Sequence, residues 1–409
     1  MKHIAIIGAG ITGLMTALEL SKKYKITVID AGPNPKHNSH THGATYSGFD
    51  ARHISYTETA PWTSSHRFEL ITKNSSEKGW LCIPKNKLNK LEVEWISKFK
   101  ETSQDTKSHD LNTSVVINLN KEGIRMWELL GNKYDFLQPF KHDTVMPIIC
   151  RSKDDLLSEF TYEHSLDKRV RLCENQVLPD TLLPFNNRLS MLGGFGYFTL
   201  FGSAYYAKSI CHNIVEYLSK LGTTFIWDTT ISDKHLLSSD YYFENLKADA
   251  LVCCSGVSLD TTQLLSKFNV LLAGVIGCWV EVDNPGIKVA CKIYGPEPVN
   301  YINITPSKTS LLLSGGYGFV GSRPHNEASL LAKPIMDDML KEVKQWLPDS
   351  TIKATSYCIR PATPTGVPTL VVNHKNKLPI IIAVGHSAGG FTQSPVTAIS
   401  ISKEISSNI

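Results

Sequence analysis

Residues 3–32 read HIAIIGAGITGLMTALELSKKYKITVIDAG. Ile4 to Ile7 form a short, almost continuously apolar run, the pattern of a parallel strand buried on both faces. Gly8, Gly10 and Gly13 follow in the spacing G-x-G-x-x-G. Gly8 permits the tight turn, Gly10 lets a pyrophosphate approach the backbone, and Gly13 lets the next helix pack close to the strand. Leu14, Ala17, Leu18 and Leu20 give that helix a buried stripe. Ile26 to Ile29 read as a second strand, and Asp30 stands at its end, where a carboxylate can bind ribose hydroxyls. Strand, glycines, helix, strand and acid in this order predict a βαβ dinucleotide-binding unit. The acid disfavours a 2′-phosphate, which leaves FAD and NAD ahead of NADP.

Working outward, the loop after Asp30 holds His37, His40, His42 and His53. No carboxylate or cysteine joins them at ligand spacing, so no metal site is expected, and the segment reads as a polar loop crossing the cofactor. Arg52 and Glu58 read as surface ion-pairing residues. Helices are expected at 91–99, 121–130 and 154–160, and a strand at 145–150. From Tyr205 to Leu221 a helix carries Ala207, Ile210, Ile214 and Leu218 on one face, with Gly222 ending it. Thr223 to Ile231 reads as a strand, 241–246 as a hairpin-like segment, and Ala250 to Cys254 as a buried strand ending at Gly256. Runs at 275–282, 289–294, 301–304 and 311–314 predict an antiparallel sheet, and 328–346 a helix. Near the end, Pro379 to Val384 is an apolar strand. Gly385 to Thr392 is a second glycine-rich turn before a helix at 396–405, whose N-terminal N–H groups suit an anion.

Bulk composition narrows the partners. A chain of 409 residues has ample core, and a net charge of +4 does not suggest nucleic acid. The nine cysteines are scattered without a C-x-x-C pair, as free thiols in a reducing compartment would be. The first strand leaves no room for a signal peptide, and no apolar run is long enough to span a bilayer, so a cytoplasmic protein is expected.

Four segments, IAIIGAGITGLMTALEL (4–20), ADALVCCSGVSL (248–259), IRPATPTGVPTL (359–370) and VGHSAGGFTQSP (384–395), then make a pattern. In that order the chain resembles the FAD-dependent family of D-amino acid oxidase, glycine oxidase, sarcosine oxidase and D-amino acid dehydrogenase. The resemblance implies an α/β fold: a discontinuous Rossmann-like FAD-binding domain with a mostly parallel sheet (1–70, 190–265 and 350–409) and an inserted α+β substrate domain with an antiparallel sheet (71–189 and 266–349). It implies that Gly8, Gly10, Ile11, Thr12 and Gly13 hold the FAD pyrophosphate and that Asp30 and Ala31 meet the adenosine ribose. Thr41, His42, Gly43, Ala44 and Thr45 would pass near the flavin, and Ile231 would meet adenine through its backbone. Gly256 would flank the pyrophosphate, and Gly389, Gly390, Phe391 and Thr392 would face the flavin pyrimidine. Arg360, also beside the flavin, would bind a substrate carboxylate, with Tyr301 and Asn303 lining the site. Cys358 matches a position that in some relatives links covalently to flavin; non-covalent FAD is the expectation here. The implied reaction is oxidation of the C–N bond of an amino acid or N-substituted amino acid. Hydride passes from Cα to flavin N5, and the imine is hydrolysed. Oxygen, a quinone or a carrier protein would reoxidise the flavin. Oxidation of a 2-hydroxy acid, a tailoring oxidase and a non-catalytic FAD-binding subunit are the alternatives.

Overall fold

A computed structural model of the chain describes residues 1–34, 52–59, 63–173, 178, 180–182, 184, 185, 188, 196–237, 241–257, 262–323, 325–373 and 378–408. In chain order the strands are β1 His3–Ile7, β2 Lys25–Ile29, β3 Arg52–Ser55, β4 Lys141–Cys150, β5 Arg171–Leu172, β6 Gly196–Tyr205, β7 Thr224–Ile226, β8 Ala250–Cys253, β9 Ala273–Asp283, β10 Cys291–Tyr294, β11 Tyr301–Pro306, β12 Ser310–Gly321, β13 Ile352–Ala362, β14 Thr369–Asn373 and β15 Ile380–Val384. The helices are α1 Ile11–Leu20, α2 Ser65–Thr72, α3 Lys90–Gln104, α4 Thr106–Lys133, α5 Lys153–Leu166, α6 Ala207–Lys220, α7 Asp233–Leu237, α8 Tyr241–Leu246, α9 Thr262–Lys267, α10 His325–Trp346 and α11 Gly390–Asn408.

The apolar runs assemble first. β1, β8 and β15 are buried along their whole lengths and pair in parallel at the centre of a six-stranded sheet, ordered β14-β15-β8-β1-β2-β7. Only the edge strand β14 runs antiparallel. One face is covered by α1, α6 and α11, whose Leu14, Ile214 and Ile401 are fully buried. The other face receives Leu236, Phe243 and Leu264. A strand buried on both faces needs this double cover, which is why its sequence is apolar without alternation.

The second sheet is larger and mixed, ordered β13-β9-β12-β11-β10-β4-β6-β3 with β5 added to β6. Its pairs are antiparallel except β10 with β4. Helix α10 buries Ile335, Met339 and Trp346 against one face. The residues of β3, β6 and β13, which lie in segments expected in the FAD domain, hydrogen-bond into this sheet. The two sheets meet where the end of β13 bridges to the turn before α11, at Ala362 and His386.

Two local expectations change. Residues 241–246 form helix α8, not a hairpin. Ala248 N–H bonds Phe243 O at 3.2 Å, and Lys247 takes φ 50°, the left-handed signature of a helix end. The strand expected at 223–231 stops at Ile226; Asp228, with φ 53°, turns the chain. Asp228 N then bonds Gly32 O and Thr229 N bonds Asp30 O, both at 2.9 Å, which carries the buried Ile231 toward the end of β2.

Candidate active site

The turn from β1 to α1 has no space for side chains. A Cβ on Gly8 would stand 2.5 Å from Cys254 O, and one on Gly13 would overlap Gly8 O. Gly8 also needs its φ of 99°. Gly10 caps α1 without a side-chain bond, and no acid sits in the first turn to offset the helix dipole. Ile11 and Thr12 open that helix. Gly256, φ 62°, follows β8, and a Cβ there would meet nothing within 4 Å. Asp30 is engaged more closely than a ribose acid requires: Ala9 N–H donates to Oδ2 at 2.5 Å and Gly32 N–H to Oδ1 at 2.7 Å. Burial raises its carboxyl above the ordinary range, and the two N–H donors oppose that rise. Asp30 therefore pins the glycine turn. Ala31 beside it is exposed.

At the other end of the site, α11 begins under the bridge to β13. Gly389 is packed so closely that a Cβ would come 2.7 Å from Gln393 Nε2 and 3.2 Å from Thr59 Oγ1. Phe391 stacks on Trp127 of α4, centroids 4.6 Å apart, and its carbonyl accepts from Trp127 Nε1 at 2.9 Å. Gln393 Nε2 donates to Asn120 Oδ1 at 2.9 Å, and Asn120 Nδ2 donates in turn to the carbonyls of Tyr56 and Glu58. His386 bonds Thr397 Oγ1 at 2.9 Å, and burial drops its pKa to about 4, so no histidine cation competes there at neutral pH. Thr392 Oγ1, Gln393 Oε1 and Ser387 Oγ are buried without a hydrogen-bond partner. Such groups are rarely left unmatched. With the glycine turn at the N-terminus of α1 they fit a long dinucleotide cofactor, which would supply the partners. Residues 41–45, expected beside the flavin, lie outside the described residues.

Arg360 is buried on β13, and its Nη1 donates to the carbonyls of Ile276 at 3.1 Å and Gly316 at 2.9 Å. The guanidinium also stands over the Tyr317 ring, 5.0 Å from its centroid. It lies across Gly277, where any Cβ would overlap it. Cys358 is buried two residues earlier, on the same strand face. Register then carries that face across the sheet: Ser356, Trp279, Ser314, Asn303 and Lys292 are successive cross-strand partners. Arg360, Cys358 and Asn303 thus share one sheet face, and Tyr301, two residues before Asn303, belongs to it. Tyr301 is not open: its hydroxyl donates to Glu159 of α5. Glu58 corrects its sequence reading. Instead of a surface pair it forms a largely buried one, with its Oε2 2.9 Å from Lys292 Nζ. Burial lowers the Lys292 pKa, but the Glu58 and Glu163 carboxylates outweigh it, so the ammonium is held above its ordinary value. Gly277 and Lys292 carry no sequence signal, because only the sheet register brings them to the site.

Comparison with known proteins gives the family and agrees with the fold. The family model "DAO: FAD dependent oxidoreductase" matches residues 3–403, and the chain belongs to this family of FAD-dependent oxidoreductases. Among solved structures, glycine oxidase from Geobacillus kaustophilus superposes with a TM-score of 0.63 at 16% identity, covering 100% of this chain and 96% of that one. Iminodiacetate oxidase from Chelativorans sp. BNC1 gives 0.58 at 14%, covering 99% and 96%. A modified fructosyl peptide oxidase from Aspergillus nidulans gives 0.61 at 14%, covering 100% and 90%. No curated protein matches significantly. Among the described residues no helix is long and apolar enough to cross a membrane, and no group of histidine, cysteine and acidic residues could hold a metal ion.

Proposed function

We propose that the chain oxidises the carbon–nitrogen bond of an amino acid or N-substituted amino acid. The observation that carries this reading is Arg360, a buried guanidinium on β13, the strand whose end bridges to the turn before α11. A guanidinium recognises a carboxylate through parallel charge-assisted hydrogen bonds. The carbonyls of Ile276 and Gly316 hold one nitrogen and fix the plane of the group. Gripping the carboxylate there sets the Cα–H bond in one orientation, and orientation is a large part of the barrier in such a transfer. The names of two structural neighbours, glycine oxidase and iminodiacetate oxidase, support an amino acid class of substrate. Bound flavin supplies the two-electron acceptor. The N-terminus of α11 and its N–H groups favour negative charge next to it. Asn303 and Tyr301 would line the far side of the substrate space.

The test is anaerobic. The purified yellow protein is mixed with a panel of amino acids, secondary amino acids and 2-hydroxy acids, and flavin absorbance is followed. Bleaching by an amino acid or secondary amine is the expected result. Bleaching only by a 2-hydroxy acid, or by nothing in the panel, overturns the proposal. Repeating the mixing with oxygen, then with a quinone, identifies the electron acceptor.

A further inference from the structure

Beyond Asn303 the same sheet face ends in a buried polar cluster that carboxylate binding and C–N oxidation do not use. Lys292 of β10 contacts Glu58. Tyr301 of β11 donates to Glu159 of α5. Glu163, one turn later on α5, is 8% exposed and lies within electrostatic reach of Lys292, Glu58 and Glu159, with Thr57 bonded to it. Arg67 of α2 acts on Glu159 and Tyr162. Three carboxyls, Glu58, Glu159 and Glu163, thus share the charges of Lys292 and Arg67. Separately, three polar atoms of this region are buried with no hydrogen-bond partner: Glu163 Oε2, Asn303 Oδ1 and the Tyr162 hydroxyl. Asn303 Oδ1 is an acceptor, Glu163 Oε2 is one once the carboxyl is ionised, and the Tyr162 hydroxyl can accept. What would satisfy them is a hydrogen-bond donor, and the excess of carboxyls over cations in the cluster favours one carrying positive charge.

We propose that this cluster binds a cationic nitrogen of the substrate, so that the preferred amino acid has a side chain or N-substituent ending in an ammonium or guanidinium group. The inference rests on Arg360 taking the carboxylate. The spacing suits such a molecule. The guanidinium of Arg360 bonds Gly316 on β12, and Lys292 lies on β10, two strands away, a lateral span of about 10 Å. An extended lysine-length side chain covers most of it. The charge logic is also directional. Burial pushes the Glu163 pKa up to about 7; Thr57 and Lys292 oppose this, and Glu159 and Glu58 add to it. Without a cation Glu163 holds a proton below neutrality. An incoming ammonium displaces that proton, so cation affinity rises as pH passes upward through about 7. The facing groups are Glu58 from the turn after β3, Arg67 from α2, Glu159 and Tyr162 from α5, Cys150 from β4, Lys292 from β10 and Tyr301 from β11.

Two ligands that lack an α-amine and cannot be oxidised at that carbon test this on the holoenzyme. ε-Aminocaproate carries the carboxylate and the distant ammonium; caproate carries only the carboxylate. Binding is read from the flavin absorbance change and from the thermal shift. Above neutral pH, ε-aminocaproate is expected to bind at least about tenfold more tightly than caproate, a difference of about 1.4 kcal/mol. The preference should shrink as pH falls below neutrality, disappear in Glu163→Gln, and survive in part in Glu163→Asp. Lysine should likewise bleach the flavin at lower concentration than norleucine. Equal binding of the two ligands, with norleucine bleaching as readily as lysine, overturns the inference and leaves amino acid oxidation standing. A preference that persists unchanged in Glu163→Gln also overturns it. No binding of either ligand and no bleaching by any amino acid removes the proposed function itself.

Discussion

At the residue scale, the position of Arg360 depends on a residue with no side chain. The Arg-Pro pair at 360–361 is visible in the sequence, but the guanidinium reaches its two carbonyls by lying across Gly277. A Cβ there would strike the far end of a flexible side chain, not backbone, so the chain can yield at small cost in stability while the anchor moves. Gly277→Ala is therefore expected to keep its flavin colour and a melting temperature close to that of the parent. Its KM for a carboxylate substrate should rise about tenfold, because small displacements of a positioning group are felt strongly in catalysis. Unchanged steady-state kinetics would mean that the guanidinium plane is not the anchor. Gly277 could not be read beforehand. In the run VIGCWV it is one more small residue in an apolar strand, and only the pairing of Cys358 with Gly277 places it under the arginine. Asp30 is the reverse case. Its place at the end of β2 was legible, but its two backbone bonds were not, because they depend on the turn closing back over the strand.

At the scale of elements, the amphipathic pattern of residues 121–130 predicted a helix, and α4 contains it within a longer one, Thr106–Lys133. The sequence did not say what that helix supports. α4 packs against the first turn of α11 through Trp127 on Phe391 and through Asn120 on Gln393. Between these contacts stands Gly123, where a Cβ would overlap Thr392 O. Here the obstacle is backbone, which cannot swing aside. Gly123→Ala should push α4 off α11 and lower stability by about 1–3 kcal/mol, the usual cost of overpacking a tight contact. It should also loosen FAD, since the displaced turn is the one with unsatisfied Thr392 and Gln393 atoms. Denaturant unfolding and the flavin-to-protein absorbance ratio after gel filtration check both. A variant with parental stability and full flavin would show that the α4–α11 contact can relax without cost. α8 differs from its sequence reading: its run YYFENL has the aromatic content of a strand, yet it forms a helix that buries Phe243 against the parallel sheet.

Across the whole molecule, the parallel sheet was legible because β1, β8 and β15 are uniformly apolar and each ends in a glycine-bearing turn. The nine-stranded sheet was legible only in pieces. Its strands come from residues as distant as 52 and 362, and pairings such as β3 with β6 leave no local periodicity that names the partner. The same long-range assembly makes the cofactor a structural ligand. Gly8–Gly13, Gly256 and Gly389–Thr392, expected to touch FAD, are separated by most of the chain and converge only in the folded state, so FAD should bind the native form and not the unfolded one. Mass action then gives a stabilisation of about 2.7 kcal/mol at a free FAD concentration one hundred times Kd. The melting temperature of flavin-depleted protein should therefore climb with added FAD and keep climbing logarithmically past saturation. Cys358 sets the control. It is buried on β13, paired with Gly277 and facing the same side as Arg360. If the flavin is held only by the turns and helix ends, acid precipitation sends the yellow colour into the supernatant, and Cys358→Ser retains flavin and the concentration-dependent melting. Colour that stays with the precipitate in the parent and is lost in Cys358→Ser would instead establish a thioether link, and the logarithmic dependence on added FAD would then be absent.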